Sequence, residues 1–148
     1  MDILMLGTGS AFAKTFYNNN ALVYSEGRTL LIDCGHTAPR ALHRLGIPLA
    51  DIDAILVTHI HADHVGGLEE LAFQYSLIYK TRKPLYVADT LVSPLWEHTL
   101  RGGLQQEDNH SLEDYFDVRP LREGEAAELL PGLTAELLRT EDIPGKKS

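Results

Sequence analysis

Short apolar runs bounded by glycine, proline or polar turn residues recur throughout the chain. Two of them, at residues 21–25 and 28–33, flank the dipeptide Glu26-Gly27, which is typical of a tight β-hairpin. Apolar runs of this length predict strands that are largely buried. We therefore predict strands at residues 3–6, 21–25, 28–33, 53–58, 84–88, 118–121, 126–130 and 133–140.

Three longer stretches have apolar residues at helical spacing. The first follows Thr37, a residue type that often precedes helices, and ends near Leu45, just before Gly46. The other two helices are predicted at residues 65–80 and 89–100, the last of them ended by Gly102-Gly103.

Strands and helices alternate, hairpins are frequent, and neither an internal repeat nor a low-complexity linker interrupts the sequence. This mixture predicts an α/β (α+β) fold, in which one face of a sheet carries helices and the other face is free to pack on a second sheet. A length of 148 residues suits one domain, which we expect to span residues 1–148.

The strongest chemical signal lies directly after the strand predicted at residues 53–58. Four potential metal ligands occur there within six positions: His59, His61, Asp63 and His64. In an extended segment His59 and His61 point to the same side, so their imidazole nitrogens can bind one ion. Asp63 lies where the chain must turn into a helix, and we predict that it acts as both N-cap and oxygen ligand. Because the four side chains diverge, we predict two adjacent metal sites, with His59 and His61 on one and Asp63 and His64 on the other.

Several segments of the sequence resemble a known superfamily. Residues 58–67, THIHADHVGG, resemble the signature motif of the metallo-β-lactamase superfamily. Residues 6–10, LGTGS, and 31–35, LIDCG, resemble the corresponding segments of its ribonuclease Z-like phosphodiesterase branch. Residues 94–104 are similar to phage-encoded anti-Pycsar phosphodiesterases, which degrade cyclic nucleotide signals. The resemblance implies a four-layer αββα sandwich, of which the N-terminal half is present here.

The same resemblance implies a metal-dependent hydrolase with two divalent ions, zinc being expected and manganese being the alternative. In this family a hydroxide that bridges the ions attacks the substrate, and the ions neutralise the charge that develops. Asp63 would contact metal and also orient the hydroxide or move a proton. Asp33 and Thr58 would lie beside the ligands, with Asp33 ordering the metal loop. A turn-forming cap is the alternative role for Asp33, and the two roles are compatible.

The second half of the expected metal site has few counterparts in this chain. Where a third histidine normally follows a strand, the sequence has Asp142, or Glu141 as the alternative. A carboxylate at Asp142 can bind zinc, and a natural loss or an engineered change is the competing explanation. The bridging aspartate and the last histidine have no evident counterpart, which leaves a truncated chain, a fragment or assembly from a second chain. Because a half-sandwich exposes an apolar sheet face, we expect a homo-oligomer such as a homodimer, or an unstable fragment.

Composition narrows the choice of substrate and partner. Lys and Arg total 13 against 21 for Asp and Glu, and the net charge of −8 gives no general attraction to nucleic acid or anionic membranes. We therefore rank a small phosphodiester, above all a cyclic nucleotide, ahead of tRNA, and keep a tRNA 3′-processing endoribonuclease as the alternative. His110, in a polar loop predicted at residues 105–111, is a candidate for substrate contact. A non-catalytic metal-binding or assembly module is the competing hypothesis from another class.

Two features of the sequence favour a cytoplasmic protein without a membrane partner. The N-terminal segment lacks the basic and long apolar regions of a signal peptide, and no apolar run approaches the length that spans a bilayer. The single cysteine, Cys34, excludes an internal disulfide, as is usual in a reducing cytosol. We predict that Cys34 is a small buried residue and not a nucleophile.

Overall fold

The structure, a computed structural model, describes residues 1–138. Within this range the strands are β1 (Asp2–Met5), β2 (Ala21–Ser25), β3 (Arg28–Ile32), β4 (Ala54–Val57), β5 (Pro84–Ala88), β6 (Asp117–Leu121), β7 (Ala126–Leu130) and β8 (Leu133–Glu136). The α-helices in the same range are α1 (Ala38–Leu45), α2 (Ala62–Val65), α3 (Leu68–Phe73), α4 (Val92–Leu95) and α5 (Arg101–Leu104). Other helical turns, of the 3₁₀ or π type, lie at Leu49–Asp51, Gln74–Tyr79, Asp89–Leu91, Trp96–Leu100 and Leu112–Asp114. The second and fourth of them are π-helical. None of the helices among residues 1–138 is long and apolar enough to cross a membrane.

Strands β1 to β6 form one sheet in sequence order in the described part of the chain. The first three strands are antiparallel, whereas β3, β4, β5 and β6 are parallel, so the carboxyl ends of these four share one edge. The hairpin between β2 and β3 turns at Glu26 and Gly27, whose φ angles are 48° and 75°. Positive φ at both central residues is what a type I′ turn requires, and the predicted hairpin is confirmed.

The two faces of this sheet are packed differently. On one face, α1, α3 and the helical segment 89–104 form the main core with alternate sheet residues such as Leu22 and Leu31. On the opposite face the hairpin of β7 and β8 covers Val23 and Leu30. The predicted arrangement, with helices on one face and a second sheet on the other, is therefore confirmed.

Two predicted helix boundaries are wrong. The helix predicted at residues 65–80 is interrupted, because Gly66-Gly67 separates α2 from α3, and the π-helical turn after α3 ends at Tyr79. The pair Gly102-Gly103 does not end its helix, which continues to the fully buried Leu104. A Cβ on Gly103 would lie 2.0 Å from Oε2 of Glu69, so glycine permits close packing on α3. Of the strand predicted at residues 133–140, the described part ends at Glu136, and residues 139 and 140 lie outside the described range.

Candidate metal centre

The residues of the predicted metal motif lie at the sheet edge where the parallel strands end. Thr58 follows β4, and Asp33 follows the neighbouring strand β3. Ligand sites in parallel sheets usually lie outside the carboxyl ends of the strands. Helix α2 begins at Ala62, with the extended His61 as its N-cap and Asp63 in its first turn. The prediction that Asp63 caps the helix is therefore wrong, since the helix begins one residue before it.

Asp33 is the buried polar centre of the motif. Its φ of 58° lies in the left-handed region, which Asp adopts more readily than most side chains. Its Oδ1 accepts a hydrogen bond from Thr58 N at 2.8 Å, and its Oδ2 accepts one from Thr58 Oγ1 at 2.7 Å. The same Oδ2 lies 2.7 Å from Nδ1 of His64. Because a carboxylate only accepts, Nδ1 of His64 donates, so in the neutral imidazole the lone pair is on Nε2.

The same reasoning sets the tautomer of His59. The hydroxyl of Thr58 has one proton, which it donates to Asp33, and its Oγ1 lies 3.1 Å from Nδ1 of His59. Nδ1 of His59 therefore donates to that oxygen, which leaves Nε2 as the acceptor. Burial and, after it, repulsion from His64 lower the pKa of His59, which favours the neutral imidazole. In their neutral forms His59 and His64 both have Nε2 as the atom that can bind metal.

The donor groups of the motif lie close together. Nε2 of His64 is 3.3 Å from Oδ2 of Asp63. Two donors bonded to one tetrahedral zinc at about 2.0 Å stand about 3.3 Å apart, so this pair fits one ion. The ring centroid of His59 lies 3.9 Å from that of His64 and 4.8 Å from that of His61. Among residues 1–138 no three such side chains converge on a single metal position. The fit to zinc rests on the donor types, which are imidazole nitrogens and a carboxylate oxygen, and on the spacing between His64 and Asp63.

The turn that follows β3 lies directly against the metal loop. Cys34 N donates a hydrogen bond to the carbonyl of His64 at 2.7 Å. A Cβ on Gly35 would lie 2.0 Å from the carbonyl oxygen of Asp63, so only glycine allows this approach. Asn20 completes the contact, because its Oδ1 accepts from Gly35 N at 3.0 Å and its Nδ2 donates to Asp63 O at 3.3 Å. The position of Asp63 therefore depends on residues from two separate segments, the turn after β3 and the segment that contains Asn20.

Asn18 and Asn20 have structural roles that sequence reasoning missed. Both side chains are buried, although the run of three asparagines suggests a plain polar turn. The hydroxyl of Thr37 donates to Oδ1 of Asn18 at 2.8 Å and joins this turn to the start of α1. The local sequence carries no signal for these roles, because the contacts join residues that are 15 and 19 positions apart.

A cleft of about 980 Å³ opens beside the metal motif. His59 and His61 line it, and the helical segment 89–104 contributes Pro94 and His98. A volume of this size lies near the upper end of the range of about 300–1,000 Å³ that is usual for small-molecule sites. The rest of the lining is mainly apolar and includes Leu56, Leu91, Leu121, Ala135 and Leu137.

Of the other predicted site residues, Thr58 lines the cleft and His110 does not, in the part of the chain that the structure describes. His110 is exposed in the loop before the turn at Leu112–Asp114, and its backbone N donates to Asp114 Oδ2 at 2.8 Å. It is absent from the described lining of the cleft, and its contact with substrate stays a prediction. Asp142 lies outside the described residues, as does Glu141. Cys34 is buried as predicted, and burial raises the pKa of its thiol, which disfavours the reactive thiolate.

Solved structures with the same architecture define the class of protein. The metallo-β-lactamase fold protein YhfI from Bacillus subtilis aligns with 98% of this chain and 54% of its own, with a TM-score of 0.76 and 20% identity. The Zn(2+)-bound PqqB from Methylobacterium extorquens aligns with 94% of this chain and 52% of its own, with a TM-score of 0.71 and 17% identity. The short form of human tRNase Z aligns with 82% of this chain and 46% of its own, with a TM-score of 0.61 and 27% identity. The chain therefore has the metallo-β-lactamase fold, as predicted, and covers about half of each of these proteins.

The particular family follows from the sequence comparisons. The family model described as Anti-Pycsar protein Apyc1 matches residues 1–148, and the chain belongs to that family. An Anti-Pycsar protein Apyc1 from Paenibacillus harenae is 57% identical over 148 residues, which are all of this chain and 61% of that protein. Another from Bacillus phage 010DV004 is 55% identical over 128 residues, covering 82% of this chain and 50% of that protein. The chain thus spans between half and about three fifths of these two relatives, and the predicted resemblance to anti-Pycsar proteins is confirmed.

Proposed function

We propose that the chain carries the metal centre of a metal-dependent phosphodiesterase that hydrolyses cyclic nucleotides. The observation that carries the proposal is the hydrogen-bond network of Asp33, which reaches His64 directly and His59 through Thr58. In the neutral imidazoles this network leaves Nε2 as the acceptor atom, and Nε2 of His64 lies 3.3 Å from the Asp63 carboxylate, beside a cleft large enough for a nucleotide. Family membership supports the substrate class, since cyclic nucleotide signals are what the sequence resemblance implies.

Each residue of the motif has its own role in this proposal. His59 and His61 would hold one divalent ion, and Asp63 and His64 would hold a second, with zinc expected and manganese as the alternative. When bound, such ions supply Lewis acidity and a nucleophile at neutral pH. Asp63 would also orient the attacking water and accept its proton. Asp33 acts through its hydrogen bonds to the two histidine-bearing segments, which makes it a positioning residue.

A hydrolysis assay tests the proposal. Protein supplied with zinc or manganese is expected to hydrolyse 3′,5′-cyclic mononucleotides, and the variant Asp63→Asn should be slower by about 10²- to 10⁴-fold, because it lacks the proton acceptor and a charged ligand. Asp108→Asn, which makes the same chemical change in an exposed loop, is the matched control and should retain activity. Intact cyclic nucleotides with every metal, together with cleavage of precursor tRNA, would replace the proposal by the endoribonuclease alternative.

Two observations support alternative functions, and the same experiments test them. The similarity to human tRNase Z supports the endoribonuclease, although the net charge of −8 disfavours a long polyanion. A non-catalytic binding or assembly module is the alternative from another class, because the sequence has Asp142 where the family resemblance implies a histidine. Metal analysis distinguishes the last case, because fewer than about one ion per chain together with no hydrolysis indicates such a module.

We also propose that the protein is a homo-oligomer in the cytoplasm and has no membrane partner. The support for assembly is the incompletely covered sheet face, on which Ile3 and Met5 of β1 are 61% and 46% exposed. Both lie beside residues of β2, and Ile3 pairs with Val23, whose side chain packs under the hairpin of β7 and β8. Exposed apolar side chains next to a covered apolar face favour association. Analytical ultracentrifugation at micromolar concentration tests this, and a stable monomer would contradict it.

A further inference from the structure

We propose that His98 binds the phosphodiester group of the substrate from the helical wall of the cleft. The inference rests on the proposed function and adds to it a substrate-binding residue that lies outside the metal motif. His98 stands 37 positions after His61 in the sequence, yet both side chains line the same cleft. The two are brought together because β4 and β5 are adjacent parallel strands, and the segments that follow them begin at the same sheet edge.

The helical segment 89–104 presents His98 to the cleft on a fixed support. Thr90, Pro94 and His98 are spaced by four residues and all line the cleft, as expected for one side of a helix. Trp96 and Leu100 of the same segment are buried in the main core and anchor it from behind. His98 lies within the π-helical turn Trp96–Leu100, a type of turn that is frequent at functional sites.

Elimination among the polar side chains of the cleft singles out His98. Outside the metal motif, the polar residues that line the described part of the cleft are Thr90, His98, Thr99 and Glu136. Thr99 Oγ1 donates to the carbonyl of Leu95, and Glu136 is an acid that would repel a phosphate. His98 is exposed, and its ring makes no hydrogen bond to the residues between 1 and 138. His98 and Thr90 can both donate a charge-assisted hydrogen bond to an anionic phosphate, but only an imidazole can also carry a positive charge.

The rest of the cleft suggests which kind of phosphodiester His98 would bind. The walls on either side carry Leu91, Pro94, Leu121 and Leu137, which favour an uncharged, planar group such as a nucleobase. A run of RNA needs several cationic contacts along its backbone, and the described cleft lining contains neither Lys nor Arg. One histidine and an apolar wall therefore fit a single compact nucleotide with one phosphodiester.

Binding and kinetics of His98 variants test the inference on the full chain loaded with zinc. The probes are 3′,5′-cyclic AMP for hydrolysis and its Rp phosphorothioate analogue for calorimetric binding. His98→Leu is expected to raise KM and the Kd of the analogue about tenfold or more, with kcat changed less than about threefold, because a hydrogen bond to a charged group is lost. His98→Gln should recover part of the affinity, because its amide can still donate a hydrogen bond. His43→Leu, a matched change at an exposed histidine of α1 that does not line the cleft, should behave as the wild type.

Each other outcome overturns the inference in a recognisable way. If the wild type hydrolyses cyclic AMP and His98→Leu binds the analogue equally well, the inference is wrong and the proposed function stands. If His98→Leu and His98→Gln lose affinity and thermal stability alike, His98 supports the helix and does not bind substrate. If the wild type neither binds the analogue nor hydrolyses any cyclic mononucleotide, the proposed function fails, and the role of His98 fails with it.

Discussion

The two faces of the six-stranded sheet differ in how completely they are covered. The helical face forms a continuous core that includes the fully buried Leu71 and Tyr75. The hairpin face buries a smaller cluster that includes Leu129 and Leu130, while Ile3 on the same face remains exposed. The metal loop lies at the sheet edge, where the Asp33 network and the turn after β3 hold it, and Ile60 is its contact with the main core. Stability and the metal centre should therefore respond to different substitutions.

The largest expected effect is on the helical face. Leu71→Ala should lower the free energy of unfolding by about 3–4 kcal/mol, because a fully buried leucine leaves a cavity in tightly packed surroundings. Urea denaturation measures the change. Leu77→Ala, at a position that is 61% exposed, is the matched control and should shift stability by less than about 0.5 kcal/mol. A loss below about 1 kcal/mol for Leu71→Ala would show that this face is not the main source of stability.

The next effect concerns the sheet edge. Asp33→Asn replaces an accepting oxygen by an amide nitrogen, so the variant cannot accept all three hydrogen bonds that come from Thr58 N, Thr58 Oγ1 and Nδ1 of His64. Zinc affinity should fall about 10- to 100-fold, as is usual when a partner of a ligating histidine is lost. Competition with a chromogenic chelator measures the affinity, with Asp108→Asn as the control. Unchanged zinc affinity would mean that Asp33 does not position the ligands.

A smaller effect is expected on the hairpin face. Leu129→Ala should cost about 2 kcal/mol, at the low end for a buried leucine, because the small cluster around it can relax into the space. The same urea titration gives the value. If Leu129→Ala and Leu71→Ala lower the free energy of unfolding equally, the proposed difference between the two faces is wrong.

The smallest effect is a gain in stability. Gly102 lies in α5, and a Cβ built there meets no other atom within 4 Å. Gly102→Ala should therefore stabilise the protein by about 0.5–1 kcal/mol, because alanine is the better helix former. Gly103→Ala should show no such gain, since its Cβ would displace Glu69. A thermal melt distinguishes the two variants, and similar melting temperatures for both would contradict this account of their packing.

Much of the fold could be predicted because local signals and tertiary packing agree over most of the chain. The hairpin at Glu26-Gly27 and the end of α1 at Gly46 both have the positive φ that their sequence indicates. The prediction failed at Gly102-Gly103, where burial of Leu104 and contact with Glu69 outweigh the low helix propensity of glycine. Local propensity cannot include contacts with a helix about thirty residues earlier in the sequence.

The candidate site, like the fold, could be predicted from the sequence only in part. The ligand-type residues His59, His61, Asp63 and His64 are visible in the sequence because one short loop contains them all. His98 was not identified, since its place in the cleft depends on the order of β4 and β5 in the sheet. The available signal was that the metal loop and the helical segment 89–104 each follow a strand, and the carboxyl ends of neighbouring parallel strands lie at the same sheet edge.

The burial of Cys34 provides an internal probe of the metal loop. Its backbone N–H bonds to His64, its carbonyl accepts from Gly67 N at 2.8 Å, and it is the single thiol in the sequence. A thiol-labelling reagent can reach this sulfur only when the segment around Cys34 unfolds locally, so the labelling rate reports how often the metal loop opens. Ions that tie the loop together should slow that reaction, and a simple colorimetric time course would then report metal occupancy without any substrate.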